Sequence, residues 1–302
     1  MDSQQENEED NSFVTNTNKN TTYKICTPLG AGTFARCFEF QNTVTGERFA
    51  AKVIPKSETQ ERNYGIFQEI IIHSTLSHPS IIKFYDHFED EGHMYLILEL
   101  CRPITLGDML KRRKVLIVPE VRYILLKLIE ACKYLHQKHV IHCDLKLENI
   151  LINDKMEIKV ADFGLSRRLD EGTKIKGIRG TLPFMAPEIL LDVGYDYKVD
   201  IWALGCIIFT LLTGSQPFKY DKDRNVTIKK IIEGKYHIPD NVESSARNMI
   251  KKLLEVNPDV RPGCPEILKD YFLKQELIPS RLPKTCLTKQ PKCKKVLPEV
   301  TN

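Results

Sequence analysis

Nine cysteines lie scattered through the 302 residues without a single C-x-x-C pair, and their number is odd. Zinc-ribbon spacing is therefore excluded and no disulfide framework is suggested. Reduced thiols inside a cell, in the cytoplasm or nucleus, are the expectation. A long hydrophobic run is also lacking. The longest, Ile201 to Leu212, is too short to cross a bilayer and has the character of a buried helix. The first residues are acidic and polar, unlike a secretion signal. Excess charge of one sign is missing too, since a net charge of +4 is far from that of a strongly basic nucleic-acid binder. Neither nucleic acid nor membrane is expected as a partner, and a monomer is expected. No internal repeat is visible. What remains is a chain with 42% hydrophobic and 28% charged residues, the balance of a globular protein of one large domain or two modest lobes.

Residues 1–22 are rich in Asn, Thr, Gln and acid, with Phe13 and Val14 as the one apolar pair, and are expected to be disordered. From Tyr23 to Leu98 the pattern is that of strands: Tyr23–Gly30, Ala35–Asn42, Arg48–Ile54, Ile82–Glu89 and His93–Leu98. One helix, Asn63–Ser77, interrupts them through Ile66, Ile70 and Leu76. After Leu100 the character turns helical. Pro119–Lys138 carries Val121, Ile124, Leu125, Leu128 and Leu135 on one stripe. A hairpin is expected from Ile150–Ile152 and Ile158–Val160, then helices near 198–212, 225–233, 244–255 and 264–273. This implies two lobes with a cleft near residues 98–103. From about residue 276 onward, prolines and lysines suggest an extended tail.

Short motifs follow one another in an informative order: Gly30-Ala31-Gly32, Ala50-Ala51-Lys52, Glu69, His142-Cys143-Asp144 with Asn149, Asp162-Phe163-Gly164, and Ala186-Pro187-Glu188. Together they supply a lid, a lysine, a base and two metal ligands for moving a phosphoryl group from Mg-ATP. Glycines at a strand end let backbone N–H groups approach phosphate oxygens, with Phe34 at the tip and Ala35 where a third glycine is usual. Alone, Gly-x-Gly is equally a hairpin turn. Lys52, inside an apolar strand, needs a partner, and Glu69 on the next helix is the natural one. Alone, it is equally a strand-edge lysine with its head in water. Asp144 would take the proton of a substrate hydroxyl, and Lys146 would contact the γ-phosphate. Asn149 and Asp162 would bind magnesium. Glu188 would pair with Arg261, and Asp200 would accept backbone N–H groups of the loop around Asp144, both as supports.

On these motifs the chain resembles the eukaryotic protein kinases, and more narrowly the polo-like serine/threonine kinases. The narrower likeness rests on Gly32-Thr33-Phe34-Ala35-Arg36-Cys37, Leu98-Glu99-Leu100-Cys101-Arg102, Lys111-Arg112-Arg113-Lys114 and Asp144-Leu145-Lys146-Leu147. Residues 278–288 also resemble the linker that follows the catalytic domain there. The resemblance implies an α+β, bilobal kinase fold over 23–275, with an antiparallel sheet and one main helix in the first lobe and helices in the second. It implies ATP and magnesium as cofactors, protein substrates with Ser/Thr acceptors, and a cell-cycle role. It also implies that Leu29, Gly30, Gly32 and Cys37 cover the nucleotide, that Ala50 packs on the adenine and that Leu151 floors it. Leu98 would be the gatekeeper, and the Glu99 and Cys101 backbones would bind the adenine edge. The family's phosphopeptide-binding polo boxes would follow the linker and have no counterpart within these 302 residues.

The chain departs from the family pattern at four positions. Cys143 replaces the arginine that precedes the catalytic aspartate, and Gly177 replaces the threonine whose phosphate that arginine pairs with. The expectation is a kinase independent of phosphorylation at that position; the competing one lets Thr173 or Thr181 substitute, with Arg167 or Arg168 as partner. Glu148 stands where glycine is usual and is expected to weaken an acidic substrate preference by like-charge repulsion, if it is more than a solvated side chain. Leu182 replaces a proline. Cys143 and Ala35 also keep open a pseudokinase, or a nucleotide-binding scaffold.

Overall fold

Side chains alternate along a strand, and His93–Leu98 shows what that does here: Met94 and Leu96 face one way, Tyr95 and Ile97 the other, and all four are buried. The computed structural model describes residues 13–32, 35–56, 60–101, 104–170, 172–274 and 278–288, with backbone alone at 60–63. The chain divides into two compact units, Met1–Ser77 with Ile82–Pro103, and His78–Ile81 with Ile104–Asn302.

In the first unit, strands β1 (Phe13–Asn16), β2 (Thr21–Ala31), β3 (Arg36–Asn42) and β4 (Arg48–Pro55) precede helix α1 (Gln60–His73). Strands β5 (Phe84–Glu89) and β6 (His93–Leu98) follow it. They form a six-stranded antiparallel sheet in the order β1-β2-β3-β4-β6-β5. One face buries Tyr23, Phe40, Ala51, Phe88, Tyr95 and Ile97. The other buries Ile54, Met94 and Leu96 against Ile66 and Ile70 of α1. The predicted strands and helix are present, with ends shifted by a few residues.

The expected disorder over residues 1–22 does not hold from Phe13 on. β1 pairs with β2 in the register Val14↔Tyr23, and Val14 packs on the aromatic face. Asn16 is buried, with its amide donating to Asp86 Oδ2 at 3.1 Å. A segment with so few apolar residues is held by ladder hydrogen bonds and one satisfied buried amide, neither of which composition reveals. Residues 1–12 lie outside the described residues.

The second unit opens with α2 (Leu106–Arg113), which sequence reading missed because it is short. Its start is fixed by a capping box in which Thr105 Oγ1 accepts from Asp108 N while Asp108 Oδ2 accepts from Thr105 N. Then come α3 (Val118–Gln137), β7 (Val140–Ile141), the predicted hairpin β8 (Ile150–Ile152) and β9 (Ile158–Val160), and β10 (Arg167–Arg168), paired with β7. The remaining helices are α4 (Pro187–Leu190), α5 (Lys198–Thr213), α6 (Arg224–Ile232), α7 (Ser244–Leu253), α8 (Cys264–Leu268) and α9 (Tyr271–Lys274). The last two divide the single helix expected over 264–273. α5 is apolar on all sides and buried, and it packs against α3 and α7.

The tail is not simply extended. Over 278–288 it folds onto this unit through buried Leu282 and Cys286 and a 3-10 turn at Lys284–Leu287 that packs on α2. Arg113, in a buried ion pair with Glu120, donates to the Cys286 carbonyl at 3.2 Å, and the Cys286 thiol donates to Glu120 Oε1 at 3.1 Å. Residues 289–302, with the lysines of the tail, lie outside the described residues.

Candidate active site

Strand alternation places Lys52 on the same face of β4 as Ile54, the face covered by α1. On α1, Glu69 shares a face with Ile66 and Ile70. The two charges meet there: Lys52 Nζ donates to Glu69 Oε1 at 2.7 Å and to Oε2 at 2.9 Å. Cross-strand register groups the other residues expected at the nucleotide in this unit. Cys37 pairs with Gly30 on one side and Lys52 on the other, and Ala50 pairs with Leu98. Leu29 is half-buried on β2. Gly32 N donates to Ala35 O at 2.8 Å, closing the glycine turn, while Thr33 and Phe34 at its tip lie outside the described residues. Glu99 is locked to Lys83 by its N–H and by its carboxylate, and Cys101 is buried. Leu151 lies on β8 of the second unit.

In the second unit, the loop after β7 is held from behind by Asp200 of α5. Its Oδ2 accepts from His142 N and its Oδ1 from Cys143 N, both at 3.1 Å, and His136 Nε2 lies 3.0 Å from Oδ2. His142 is buried between the Ala161 carbonyl, 3.1 Å from Nε2, and the Phe163 ring, at 5.1 Å between centroids. Cys143 adopts φ +66°, turning the chain so that Asp144 projects into the site.

Three side chains converge on the Asp144 carboxylate. Lys146 Nζ donates to Oδ2 at 2.6 Å, Thr181 Oγ1 donates to Oδ1 at 2.7 Å, and Asn149 Nδ2 donates to Oδ2 at 3.2 Å. Lys146 also reaches Thr181 Oγ1 at 2.9 Å, which joins the loop to the segment before Ala186. Asn149 Nδ2 is further tied to the Asp144 carbonyl at 2.9 Å. Its carbonyl accepts from Ala161 N at 2.9 Å, so the exposed Asp162, at φ +63°, follows directly from a residue fastened to Asn149. The sequence reading placed Asp144, Lys146 and Asn149 in one motif and Asp162 in another, and the first three of these side chains meet. It weighed Thr181 as an alternative phosphate acceptor and not as a partner of Asp144; no periodicity marks a hydroxyl that reaches across 37 residues.

The supports are where they were expected. Arg261 Nη1 and Nη2 bind Glu188 Oε1 and Oε2 at 2.7 and 3.1 Å. Burial pushes the Cys143 thiol up, with Asp200 adding to the effect, so it stays protonated at neutral pH. A proton-bearing, buried thiol is a poor redox switch. Among the described residues no cluster of three or more His, Cys, Asp and Glu side chains forms a closed metal cage.

The first unit thus holds a lysine–glutamate pair on a sheet and its helix, and the second an aspartate–lysine–asparagine loop backed by a helix aspartate. The chain belongs to the protein kinase domain family, whose model matches residues 23–273. Within it, the similarity is to the polo-like serine/threonine kinases. It is 39% identical to serine/threonine-protein kinase polo of Drosophila melanogaster over 278 residues, 91% of this chain and 48% of that protein. It is 41% identical to serine/threonine-protein kinase PLK1 of Xenopus laevis over 269 residues, 87% of this chain and 44% of that protein. For plk-2 of Caenorhabditis elegans the figures are 39% over 275 residues, 90% and 43%. The chain thus spans less than half the length of these relatives.

Proposed function

We propose that this chain transfers the γ-phosphoryl group of ATP to serine and threonine hydroxyls of proteins. The observation that carries the reading is the Asp144 carboxylate, held by Lys146, Thr181 and Asn149 in one hydrogen-bonded group. The acceptor oxygen attacks the γ-phosphorus, the bond to the β-phosphate oxygen breaks, and the hydroxyl proton passes to Asp144. Lys146 supplies positive charge beside that oxygen, and Lys52, held by Glu69, serves the α- and β-phosphates. Magnesium fits the residues present: the Asn149 amide nitrogen is engaged by Asp144, which leaves its oxygen as a donor, and Asp162 offers a carboxylate. When bound, the ion would offset phosphate charge. Leu29, Gly30, Gly32, Cys37, Ala50, Leu98, Glu99 and Cys101 of the first unit are the proposed nucleotide contacts there, and Leu151 is the proposed contact from the second. The features that favoured a pseudokinase, Cys143 and Ala35, remove none of these groups.

The same reading includes independence from activation-segment phosphate. Thr181 already spends its hydroxyl on Asp144, and Thr173 Oγ1 donates to the Asp170 carbonyl at 2.7 Å in an exposed turn. Cys143 brings no charge that a phosphate would neutralise. Glu148 is exposed beside Gly107 of α2, and its charge opposes acidic residues in a substrate. A cell-cycle role and an intracellular setting complete the proposal.

The test is phosphoryl transfer by phosphatase-treated protein with Mg-ATP and a mixed Ser/Thr peptide library, beside Asp144→Asn. Robust transfer that falls by about a hundredfold or more in the variant is expected. Substantial transfer by Asp144→Asn would remove Asp144 as the base, and an inactive wild type would remove the phosphate-independent reading.

A further inference from the structure

We propose that Asp192 is a positioning residue for the activation segment, tethering the turn at Gly177 where the family uses a phosphate. The inference rests on the phosphate-independent reading above and names the group that makes it workable.

The segment before Ala186 must hold still if a protein acceptor is to meet Asp144. Going backward from Thr181, each turn has an identifiable tie. Gly180 sits at φ +108°, and a Cβ there would lie 2.7 Å from the Cys143 carbonyl oxygen, so the segment touches the catalytic loop backbone to backbone. Arg179 Nη1 donates to the Lys176 carbonyl at 2.9 Å and closes the turn on itself. Gly177 N donates to Asp192 Oδ1 at 2.7 Å. Ile175 and Tyr195 exchange two backbone hydrogen bonds of 2.9 Å each. Residues 174–177 therefore run antiparallel to 192–195, and the Asp192 side chain supplies the acceptor where the ladder of main-chain bonds ends.

Asp192 is itself well anchored. It follows α4, which carries Glu188, and Glu188 is fixed by the fully buried Arg261. Asp192 N donates to the Ile189 carbonyl at 3.2 Å, and its φ of +51° is a left-handed conformation that aspartate tolerates better than most side chains. A surface aspartate that merely caps a loop binds an N–H a few residues away, as Asp90 does with Gly92 and His93. Asp192 reaches back 15 residues and joins two separate segments.

Gly177 completes the argument. Its φ of +92° is one that a threonine would adopt only under strain. The loss of the phosphate acceptor and the geometry of the turn therefore belong together: the backbone N–H of residue 177, not a modified side chain, is the point of attachment. A bond from an N–H to a carboxylate is stronger than one to a neutral acceptor, and it needs no upstream enzyme.

The test compares phosphatase-treated wild type, Asp192→Ala and Asp192→Asn, reading kcat and KM for peptide and for ATP together with the unfolding midpoint from Trp202 fluorescence. Asp192→Ala should lower kcat/KM for peptide about tenfold, with KM for ATP and the midpoint unchanged. Asp192→Asn, which keeps the oxygen acceptor, should recover to within about twofold of wild type. An active wild type matched by Asp192→Ala overturns this inference alone. A loss in Asp192→Ala that comes with a lowered midpoint and is not rescued by Asn overturns it too, by showing a purely structural role. A wild type inactive without phosphate overturns it together with the reading beneath it.

Discussion

The Lys52–Glu69 pair of the first unit and the Arg261–Glu188 pair of the second are equally short, 2.7 Å at their closest, yet their surroundings differ. Arg261 is completely buried, and all five of its N–H donors are satisfied. Two go to Glu188, one each to the carbonyls of Lys198, Glu255 and Val256, and the guanidinium lies 5.1 Å from the Trp202 ring centroid. Nothing can be added to that site without breaking a bond already made. The Lys52 side chain keeps 16% of its surface open, and its ammonium is a point charge rather than a fork. The difference teaches how one kind of pair serves two ends. A pair wholly shut off from solvent fixes the fold, whereas one whose lysine keeps some exposed surface can hold a charge where a ligand can reach it. Asp200 stands between the two cases: it is buried like Glu188, but its bonds go to the backbone of the loop that carries Asp144.

The largest effects should come from breaking the two pairs separately. Arg261→Met leaves Glu188 buried without its cation, and stability should fall by about 3–5 kcal/mol. Trp202, the one tryptophan of the chain, lies in the same unit and reports the loss as a lower urea midpoint. Replacing Glu188 as well should recover most of it, because two matched apolar side chains bury no charge. Lys52→Met should leave the Trp202 transition in place while reducing phosphoryl transfer about a hundredfold or more. If Lys52→Met shifted the Trp202 midpoint as far as Arg261→Met does, the division into a fold-holding and a ligand-holding pair would be wrong.

A third pair sharpens the contrast at a smaller scale. Arg113 and Glu120 are also buried and bidentate, at 3.1 and 2.9 Å, but part of their coordination comes from Cys286 of the tail. Ending the chain after residue 277 would expose this pair to water and uncover the sites of Leu282 and Cys286. The expected cost is about 1–2 kcal/mol in the Trp202 transition, with kcat unchanged. An unchanged midpoint in the shortened protein would mean that the tail contacts contribute nothing to stability.

How far these features could be read from the sequence depends on the range of the interaction that makes them. The hairpin Ile150–Ile152 with Ile158–Val160 and the strand His93–Leu98 are where the alternation put them, because a local period specifies them. Lys52 and Glu69 were paired by a simple argument, that a lysine in an apolar strand needs a charge from the next helix. β1 was missed because its stability comes from its partners rather than from an apolar pattern of its own: the hairpin ladder to Tyr23 on β2 and the bond to Asp86, 70 residues on. Thr181 and Asp192 were missed for the same reason. Each is an ordinary polar residue in a loop, and its role exists only once the segment is folded back on its target.

The last expected effect is absent at neutral pH and tests the surroundings of Asp200 by raising it. Burial, followed by the charge of Asp200, pushes the Cys264 thiol up to about 12 from an ordinary 9.0, and Cys132 beside it is raised in the same way. A thiol raised in the folded state stays protonated there while the unfolded chain loses its proton. The contribution is therefore fully present below that ordinary value and is lost as pH rises through the folded one. The Trp202 urea midpoint should decline between about pH 9 and 12, and Cys264→Ala should make that decline shallower without touching Lys52 or Glu69. Identical slopes for wild type and Cys264→Ala would mean that water reaches this corner of the α3–α5–α8 core. Asp200 would then be a wetter support for the loop that carries Asp144 than its near-complete burial implies.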